Sequence, residues 1–156
     1  MATLLFRHSL PLRSRVALLS TGRLGNIVKS AGFRSSACRR EQIINATSAD
    51  FKRVALDGTH DRLVLVDFYA DWCGPCHQLT PVLKKLIGER TTGGEKVDLL
   101  TIDIENEEKG GPGLASSHQI RALPTVIAFR DGKAVDKFVG ALPETGVNTF
   151  LDKLKA

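Results

Sequence analysis

The most constraining feature of this chain is an apolar run at residues 63 to 69 that leads almost directly into Cys73-Gly74-Pro75-Cys76. A nearly continuous apolar run with β-branched residues predicts a strand buried on both faces of a sheet. Pro75 suits the first turn of a helix, because its missing N–H would have no partner there. The pattern therefore predicts a strand followed by a helix with two thiols in its first turn, and so an α/β fold.

The spacing of Cys73 and Cys76 indicates redox chemistry. Residues at i and i+3 share one face of a helix, so the two thiols lie close enough for a disulfide of ordinary geometry. The unpaired amides and the dipole at the helix amino terminus favour a thiolate over a thiol. One cysteine can then attack a disulfide while the other resolves the product.

Two other uses of such a cysteine pair are disfavoured. A structural zinc ion needs four ligands, and the chain offers one further cysteine, Cys38, and histidines without ligand spacing: His8, His60, His77 and His118. We therefore expect no metal. A structural disulfide within one helical turn would close almost no loop and would remove little entropy from the unfolded chain.

Residues 66–76, which end in Trp72-Cys73-Gly74-Pro75-Cys76, resemble the active-site signature of the thioredoxin family. Downstream, residues 122–125 resemble its cis-proline segment, residues 131–133 its hairpin turn and residues 139–141 its exit into a last helix. The resemblance covers about residues 41–156. It implies the thioredoxin fold, a central mixed β-sheet flanked by helices on both faces.

The catalytic residues are expected at this motif. Cys73 stands at the very start of the helix, where we expect it to reach solvent and attack as a thiolate. Cys76 lies one turn further on and resolves the mixed disulfide. Gly74 lets another backbone approach, and Pro75 presets the first helical turn.

Asp67 is the third candidate catalytic residue. A carboxylate in a buried strand is costly, so we expect its pKa to rise toward neutrality. The resemblance implies that Asp67 deprotonates Cys76, whereas a purely structural hydrogen-bond network is the alternative. The family often places a lysine on the next strand near this aspartate, and we expect Leu99 to stand there instead.

Four residues are candidates for substrate binding. Trp72 would cover the disulfide and pack against a substrate, and we expect it to serve as a core lid as well. The resemblance implies that a cis peptide bond before Pro124 leaves the backbone of Leu123 available to pair with a substrate strand. Gly140 would let a partner approach, or would merely end a strand tightly.

The resemblance implies a protein-disulfide reductase that acts on disulfide-containing client proteins as a monomer. We expect a separate NADPH-dependent thioredoxin reductase to recharge it, since the sequence has no nicotinamide or flavin motif and so no cofactor of its own. A disulfide oxidase or isomerase of the same fold is disfavoured, because the Gly-Pro pair between the cysteines resembles that of the reducing members of the family. A non-catalytic binding module is the third possibility.

Residues 1–40 differ in composition from the rest of the chain. They contain eight basic residues, eight serines or threonines and no acidic residue, whereas residues 41–156 carry fourteen basic and seventeen acidic residues. Such an arginine- and serine-rich, acid-free segment is typical of a mitochondrial presequence, so we expect the matrix as location, with the chloroplast as the alternative. A disordered basic tail that carries no targeting signal is the other interpretation.

The same charge division bears on other partners. The net charge of residues 41–156 is −3, so the basic character of the chain gives no argument for nucleic-acid binding by the domain. Arginines interrupt each apolar stretch of residues 1–40, which leaves neither a secretory signal nor a membrane span there. Cleavage near residues 33–36 would decide whether Cys38 is retained.

Shorter patterns predict the remaining elements. We expect a strand at residues 42–44, a helix after a cap near Thr47, a helix from Cys73 to about Arg90, a strand at residues 97–104, a solvated loop at residues 105–113, a short helix at residues 114–120, a hairpin around Asp131-Gly132 and a terminal helix from Pro143.

Overall fold

A computed structural model describes residues 41–57 and 61–155 of the chain. These residues form a five-stranded sheet in the order β1-β3-β2-β4-β5. Strands β1, β3 and β2 run parallel, whereas β4 is antiparallel to both β2 and β5. The strands are β1 Gln42–Ile43, β2 Leu63–Tyr69, β3 Val97–Asp103, β4 Thr125–Arg130 and β5 Lys133–Val139. The expected mixed sheet is confirmed.

Helices cover both faces of this sheet, as expected. The described helices are α1 Ser48–Phe51, which continues as a π-helical segment Lys52–Leu56, α2 Gly74–Thr92, α3 Gly111–Ser117 and α4 Glu144–Lys153. Helices α2 and α4 contribute to one hydrophobic core, and α1 with its π-helical continuation contributes to the other. Leu114 of α3 packs against that second core.

The alternation of side chains along β2 divides its residues between the two cores. Leu63 and Leu65 belong to the core that contains α2 and α4, whereas Val64, Val66 and Phe68 belong to the opposite one. Since successive side chains of a strand point to opposite faces, Asp67 shares the α2 side with Leu65. The strand thereby carries one carboxylate into the core beneath α2.

Two local predictions are confirmed by side-chain and backbone geometry. Thr47 caps α1, because its Oγ1 accepts the Asp50 N–H at 3.1 Å while Asp50 Oδ2 accepts the Thr47 N–H at 3.1 Å. The β4–β5 turn places Asp131 and Gly132 at φ 50° and 75°. Positive φ at both central residues is what a two-residue hairpin turn of type I′ requires.

The expectation of a loop at residues 105–113 is wrong at its carboxyl end, because α3 already begins at Gly111. Gly111 is buried, and a Cβ at this position would lie 1.9 Å from the Asp103 carbonyl oxygen. Its N–H donates to the Asn106 carbonyl at 2.9 Å. The glycines there allow a helix to start in contact with the end of β3.

Some expectations concern residues outside the described range. The predicted presequence at residues 1–40, including Cys38, and the histidine His60 lie there. Within the described residues, none of the helices combines the length and apolar character that crossing a bilayer requires. The same residues hold no group of three or more His, Cys, Asp or Glu side chains able to bind a metal ion.

Candidate active site

The connection between β2 and α2 brings the two cysteines together. Cys73 is the residue immediately before α2, and its N–H donates to the Ala70 carbonyl at 3.0 Å, which closes the turn after the strand. Pro75 lies within the first helical turn, as expected. Cys73 and Cys76 form a disulfide with an S–S distance of 2.04 Å and a Cα–Cα distance of 5.3 Å.

Cys73 occupies the capping position of α2. Its Sγ accepts the Cys76 N–H at 3.3 Å, so one of the unpaired amides of the first turn already points at this sulfur. A helix amino terminus concentrates positive partial charge at that point. The position therefore favours a thiolate at Cys73 once the disulfide is reduced.

The expectation that Cys73 reaches solvent needs correction. Cys73 and Cys76 are 3% and 1% exposed, so both are buried and Cys73 is only slightly the more accessible. They cluster with Ala70, and three half-buried side chains pack against this cluster: Tyr69, Ile104 and Leu123. Tyr69 and Ile104 extend the site beyond the residues predicted from sequence.

Asp67 lies in β2 with no exposed surface. Burial raises its pKa to about 6 from an ordinary value of 3.8, although the hydrogen bond from Thr80 and the positive charge of Lys84 each lower it. The expected rise toward neutrality is therefore confirmed. Thr80 Oγ1 donates to Asp67 Oδ2 at 2.8 Å, whereas Oδ1 is buried without a hydrogen-bond partner among the described residues.

Leu99, expected near Asp67, lies on the next strand but not directly opposite it. Thr101 of β3 is in register with Asp67, and Leu99 pairs with Leu65 two residues earlier. A cation does act on Asp67, but it is Lys84 of α2 and belongs to a helix rather than to a strand. Sequence separation alone could not have indicated this residue, since the register of β2 against α2 is set by packing.

Trp72 is exposed beside the disulfide. It leaves 69% of its surface accessible, so the expectation that it also serves as a core lid is wrong. Its Nε1–H donates to Glu105 Oε1 at 2.8 Å. Glu105 follows β3, and the carboxyl ends of the parallel strands β2 and β3 meet at one sheet edge. That topological rule was the available signal for Glu105, which the sequence placed in a solvated loop.

A second loop lies against the disulfide cluster. The Leu123–Pro124 peptide bond is cis, and Leu123 packs on the cysteine cluster. The Gly140 N–H donates to the Pro124 carbonyl at 2.8 Å, which ties the end of β5 to the start of β4. Gly140 adopts φ 91°, and a Cβ there would meet nothing within 4 Å. Its conformation, rather than close packing, favours glycine.

Several of the residues predicted for the site lie at or beside one cluster. Cys73, Cys76 and Leu123 belong to or touch one cluster, and Pro124 and Gly140 join it through the backbone. Gly74 has open space around its Cβ position.

A redox-active disulfide at the amino terminus of a helix, next to a mixed sheet, defines the class of thiol–disulfide oxidoreductases.

Comparisons with known proteins extend this assignment. A family model described as Thioredoxin matches residues 42–153. Thioredoxins of Staphylococcus epidermidis and Staphylococcus aureus are each 37% identical over 111 residues, which is 71% of this chain and 96% of the relative. The chain belongs to the thioredoxin family.

Solved structures agree with that assignment. A thioredoxin of Malassezia sympodialis superposes with a TM-score of 0.60 at 30% identity, covering 76% of this chain and 94% of the other. A mutant thioredoxin from Halobacterium salinarum NRC-1 gives a TM-score of 0.58 at 29% identity, covering 72% and 89%. The protein is a thiol–disulfide oxidoreductase of the protein-disulfide reductase type. Its partners are, in general, disulfide-containing client proteins and a reductase.

Proposed function

We propose that this protein reduces client disulfides with Cys73 as the attacking thiol and Cys76 as the resolving thiol. The observation that carries the proposal is the capping position of Cys73, whose sulfur accepts the Cys76 amide at the start of α2. Amide donors and the helix dipole stabilise negative charge at this sulfur and lower the pKa of the free thiol. Cys76 lies one turn further along and lacks that position.

The exchange has two balanced steps. The Cys73 thiolate attacks one sulfur of the client disulfide, so an Sγ–S bond forms, the client S–S bond breaks and the other client sulfur leaves as a thiolate. The Cys76 thiolate then attacks Cys73 Sγ and releases the second client thiolate. The client gains two electrons, and the protein is oxidised to the Cys73–Cys76 disulfide.

Asp67 serves as the proton acceptor for Cys76 in the second step. A buried carboxylate with a pKa of about 6 is mostly ionised at neutral pH, yet it is a far stronger base than an ordinary aspartate. Thiolate formation at Cys76 requires such an acceptor, because Cys76 is buried away from bulk water.

The client binds over Trp72, Gly74, Leu123, Pro124 and Gly140. Support comes from the exposed indole of Trp72, the open space at Gly74 and Gly140, and the contact of Leu123 with the cysteine cluster. An extended client segment can pair there with the backbone of the cis-proline loop, as a strand adds to a sheet edge.

An NADPH-dependent thioredoxin reductase returns the disulfide to the dithiol. The test is insulin reduction, followed as turbidity, with NADPH and a thioredoxin reductase present or omitted. We expect turnover only with the complete system, and loss of turnover in Cys73→Ser. A protein that binds clients without turnover would behave as a binding module.

The direction of the chemistry is tested by the reduction potential of the cysteine pair. A value near −270 mV is expected for a reductase, whereas about −120 to −180 mV would indicate an oxidase or isomerase. The Gly-Pro pair between the cysteines supports the reductase. We expect a monomer throughout, which size-exclusion chromatography of residues 41–156 checks.

We also propose that residues 1–40 are a mitochondrial presequence and that residues 41–156 are the mature catalytic domain in the matrix. The absence of acidic residues from the first 40 positions supports this division, as does the family match, which begins at residue 42. Import into chloroplasts is the competing outcome. A domain of net charge −3 offers no general basis for nucleic-acid binding.

A further inference from the structure

One stripe of α2 connects Cys76 to the buried carboxylate. Cys76, Thr80 and Lys84 follow at intervals of four residues, and side chains at i and i+4 are neighbours on one helix face. The stripe faces β2, because Cys76 is 1% exposed and Thr80 reaches Asp67 of that strand. Thr80 thus stands one helical turn beyond the resolving cysteine and in direct contact with the acceptor.

The two oxygens of Asp67 have different surroundings. Oδ2 accepts the Thr80 hydroxyl at 2.8 Å, whereas Oδ1 is buried and has no partner among residues 41–57 and 61–155. A hydroxyl has one proton to donate, and here it is directed at Oδ2. A proton transferred to Asp67 from another group would therefore bind at Oδ1, the oxygen that the Thr80 hydroxyl does not occupy.

We propose that Thr80 is a positioning residue for the resolving step: its hydroxyl holds Oδ2, so that Oδ1 of Asp67 takes the proton of Cys76. In that step the Cys76 S–H bond breaks and an Oδ1–H bond forms. The sulfur keeps the electron pair with which it attacks Cys73. The proposal rests on the proposed role of Asp67 as base.

Electrostatics around Asp67 support the role of Thr80. The hydrogen bond stabilises the charged carboxylate, so it lowers the pKa of Asp67 against the opposing effect of burial. Half-buried Lys84 acts in the same direction and is the one cation among the described residues that does so. On the neighbouring strands, Thr101 and Val126 are in register with Asp67. On β2 itself, burial raises the pKa of Tyr69, and the charges of Asp103, Asp71 and Asp67 raise it further.

The test compares Thr80→Val, which has the shape of threonine without the hydroxyl, with Thr80→Ser, which retains the hydroxyl. Carboxyl-carbon NMR on the oxidised protein reports the pKa of Asp67. We expect it to rise by about one unit in Thr80→Val, because a hydrogen bond to the charged form is lost, and to stay at its wild-type value in Thr80→Ser. Thr80→Ala repeats the loss of the hydroxyl with a smaller side chain, should valine perturb folding.

The second measurement is the release of a client from its mixed disulfide with Cys73, followed in a single turnover across pH. The acidic limb of this rate should move upward with the pKa of Asp67 in Thr80→Val and Thr80→Ala, and return in Thr80→Ser. Thr91→Val is the matched control, because Thr91 lies on the same helix and its hydroxyl donates to the Ile87 carbonyl at 2.6 Å instead. It should change neither readout.

Three results would overturn the inference. An unchanged Asp67 pKa in the valine and alanine variants is one, and a serine variant that behaves like valine is another. A wild-type release profile with no acidic limb near pH 6 is the third, and it would also remove Asp67 as the base. Insulin reduction by the wild-type protein is a separate measurement, so a failure of this inference is distinguishable from a failure of the reductase function.

Discussion

At the scale of single residues, the two cysteines differ in position although they share one helical turn. Cys73 precedes α2 and accepts an amide N–H, whereas Cys76 belongs to the helix and is 1% exposed. Cys73→Ser should therefore abolish reductase activity, because the thiolate that attacks the client is removed. Cys76→Ser should still attack and should accumulate mixed disulfides through Cys73, detectable on non-reducing gels.

Thiol labelling tests the same assignment of the attacking and resolving cysteines. Thiol labelling across pH of the reduced wild-type protein should find Cys73 the faster-reacting and more acidic group. If Cys76 reacted faster, or if Cys73→Ser trapped clients, the attacking and resolving roles would have to be exchanged.

Asp67 makes a second prediction, which concerns stability as a function of pH. Its folded-state pKa is raised to about 6 from 3.8, so folding takes up a proton between these pH values. The stabilising contribution of the protonated form is fully present below pH 4 and is lost as the pH rises through 6. A shift of this size corresponds to about 3 kcal/mol in the free energy of unfolding.

Asp67→Asn cannot lose a proton, so its stability should not fall in that window. Relative to wild type, the free energy of unfolding of Asp67→Asn should increase by about 2 kcal/mol between pH 4 and pH 7. Urea denaturation of both oxidised proteins measures this difference. The same variant should release clients more slowly near pH 7 and approach wild type near pH 8.5, where a thiol ionises without help. A less stable variant with normal kinetics would make Asp67 purely structural.

At the scale of elements, the junction between β3 and α3 depends on one glycine. A Cβ on Gly111 would lie 1.9 Å from the Asp103 carbonyl oxygen, and this neighbour is backbone that cannot simply rotate away. Gly111→Ala should lower the free energy of unfolding by at least about 2 kcal/mol. Gly113→Ala is the matched control in the same helix, because nothing lies within 4 Å of its Cβ position.

The control should behave in the opposite way. Alanine is the better helix former, so Gly113→Ala should leave stability unchanged or raise it by up to about 1 kcal/mol. Denaturant titrations of the two variants side by side give the comparison. Equal effects of the two substitutions would show that helix propensity, and not contact with the end of β3, governs this junction.

The elements also show which parts of the structure the sequence could predict. Strand β2, helix α2 and the β4–β5 turn follow from signals within a few residues: an apolar run, a proline in the first turn and the pair Asp131-Gly132. The start of α3 does not, because Gly111 is required by Asp103, eight residues earlier and at the end of a strand. The sequence pattern of several glycines is the same whether they form a loop or allow a close contact between two elements.

The same distinction applies to the site. Cys73, Cys76 and Asp67 could be predicted because the motif and the buried strand are adjacent in sequence. Thr80 could not, since its partner Asp67 lies 13 residues away. For Glu105, whose partner Trp72 lies 33 residues away, the only signal was the meeting of the ends of β2 and β3 at one sheet edge. Which hydroxyl or carboxylate reaches a given group depends on how α2 and the β3–α3 connection pack on the sheet.

At the scale of the whole molecule, charge separates the chain into two parts of different character. Residues 1–40 carry a net charge of +8, while residues 41–156 carry −3 and contain every residue of the candidate active site. A cationic segment without acidic residues suits import into a compartment with a negative interior potential, and it adds nothing that the cysteine chemistry requires. Cutting the chain at this boundary should therefore separate the targeting signal from the catalytic activity.

Fusion of residues 1–40 to a fluorescent reporter should direct the reporter to mitochondria and shorten the fusion by about the length of that segment, as judged by microscopy and gel mobility. Residues 41–156 expressed alone should reduce insulin at the rate of the full chain, since all described hydrogen bonds of the site lie within them. Replacing the eight basic residues of the segment with glutamine is the control, and it should leave the reporter in the cytosol because the cationic character is lost. An uncleaved fusion in the cytosol, or one imported into plastids, would contradict the mitochondrial address while leaving the reductase activity of residues 41–156 unaffected.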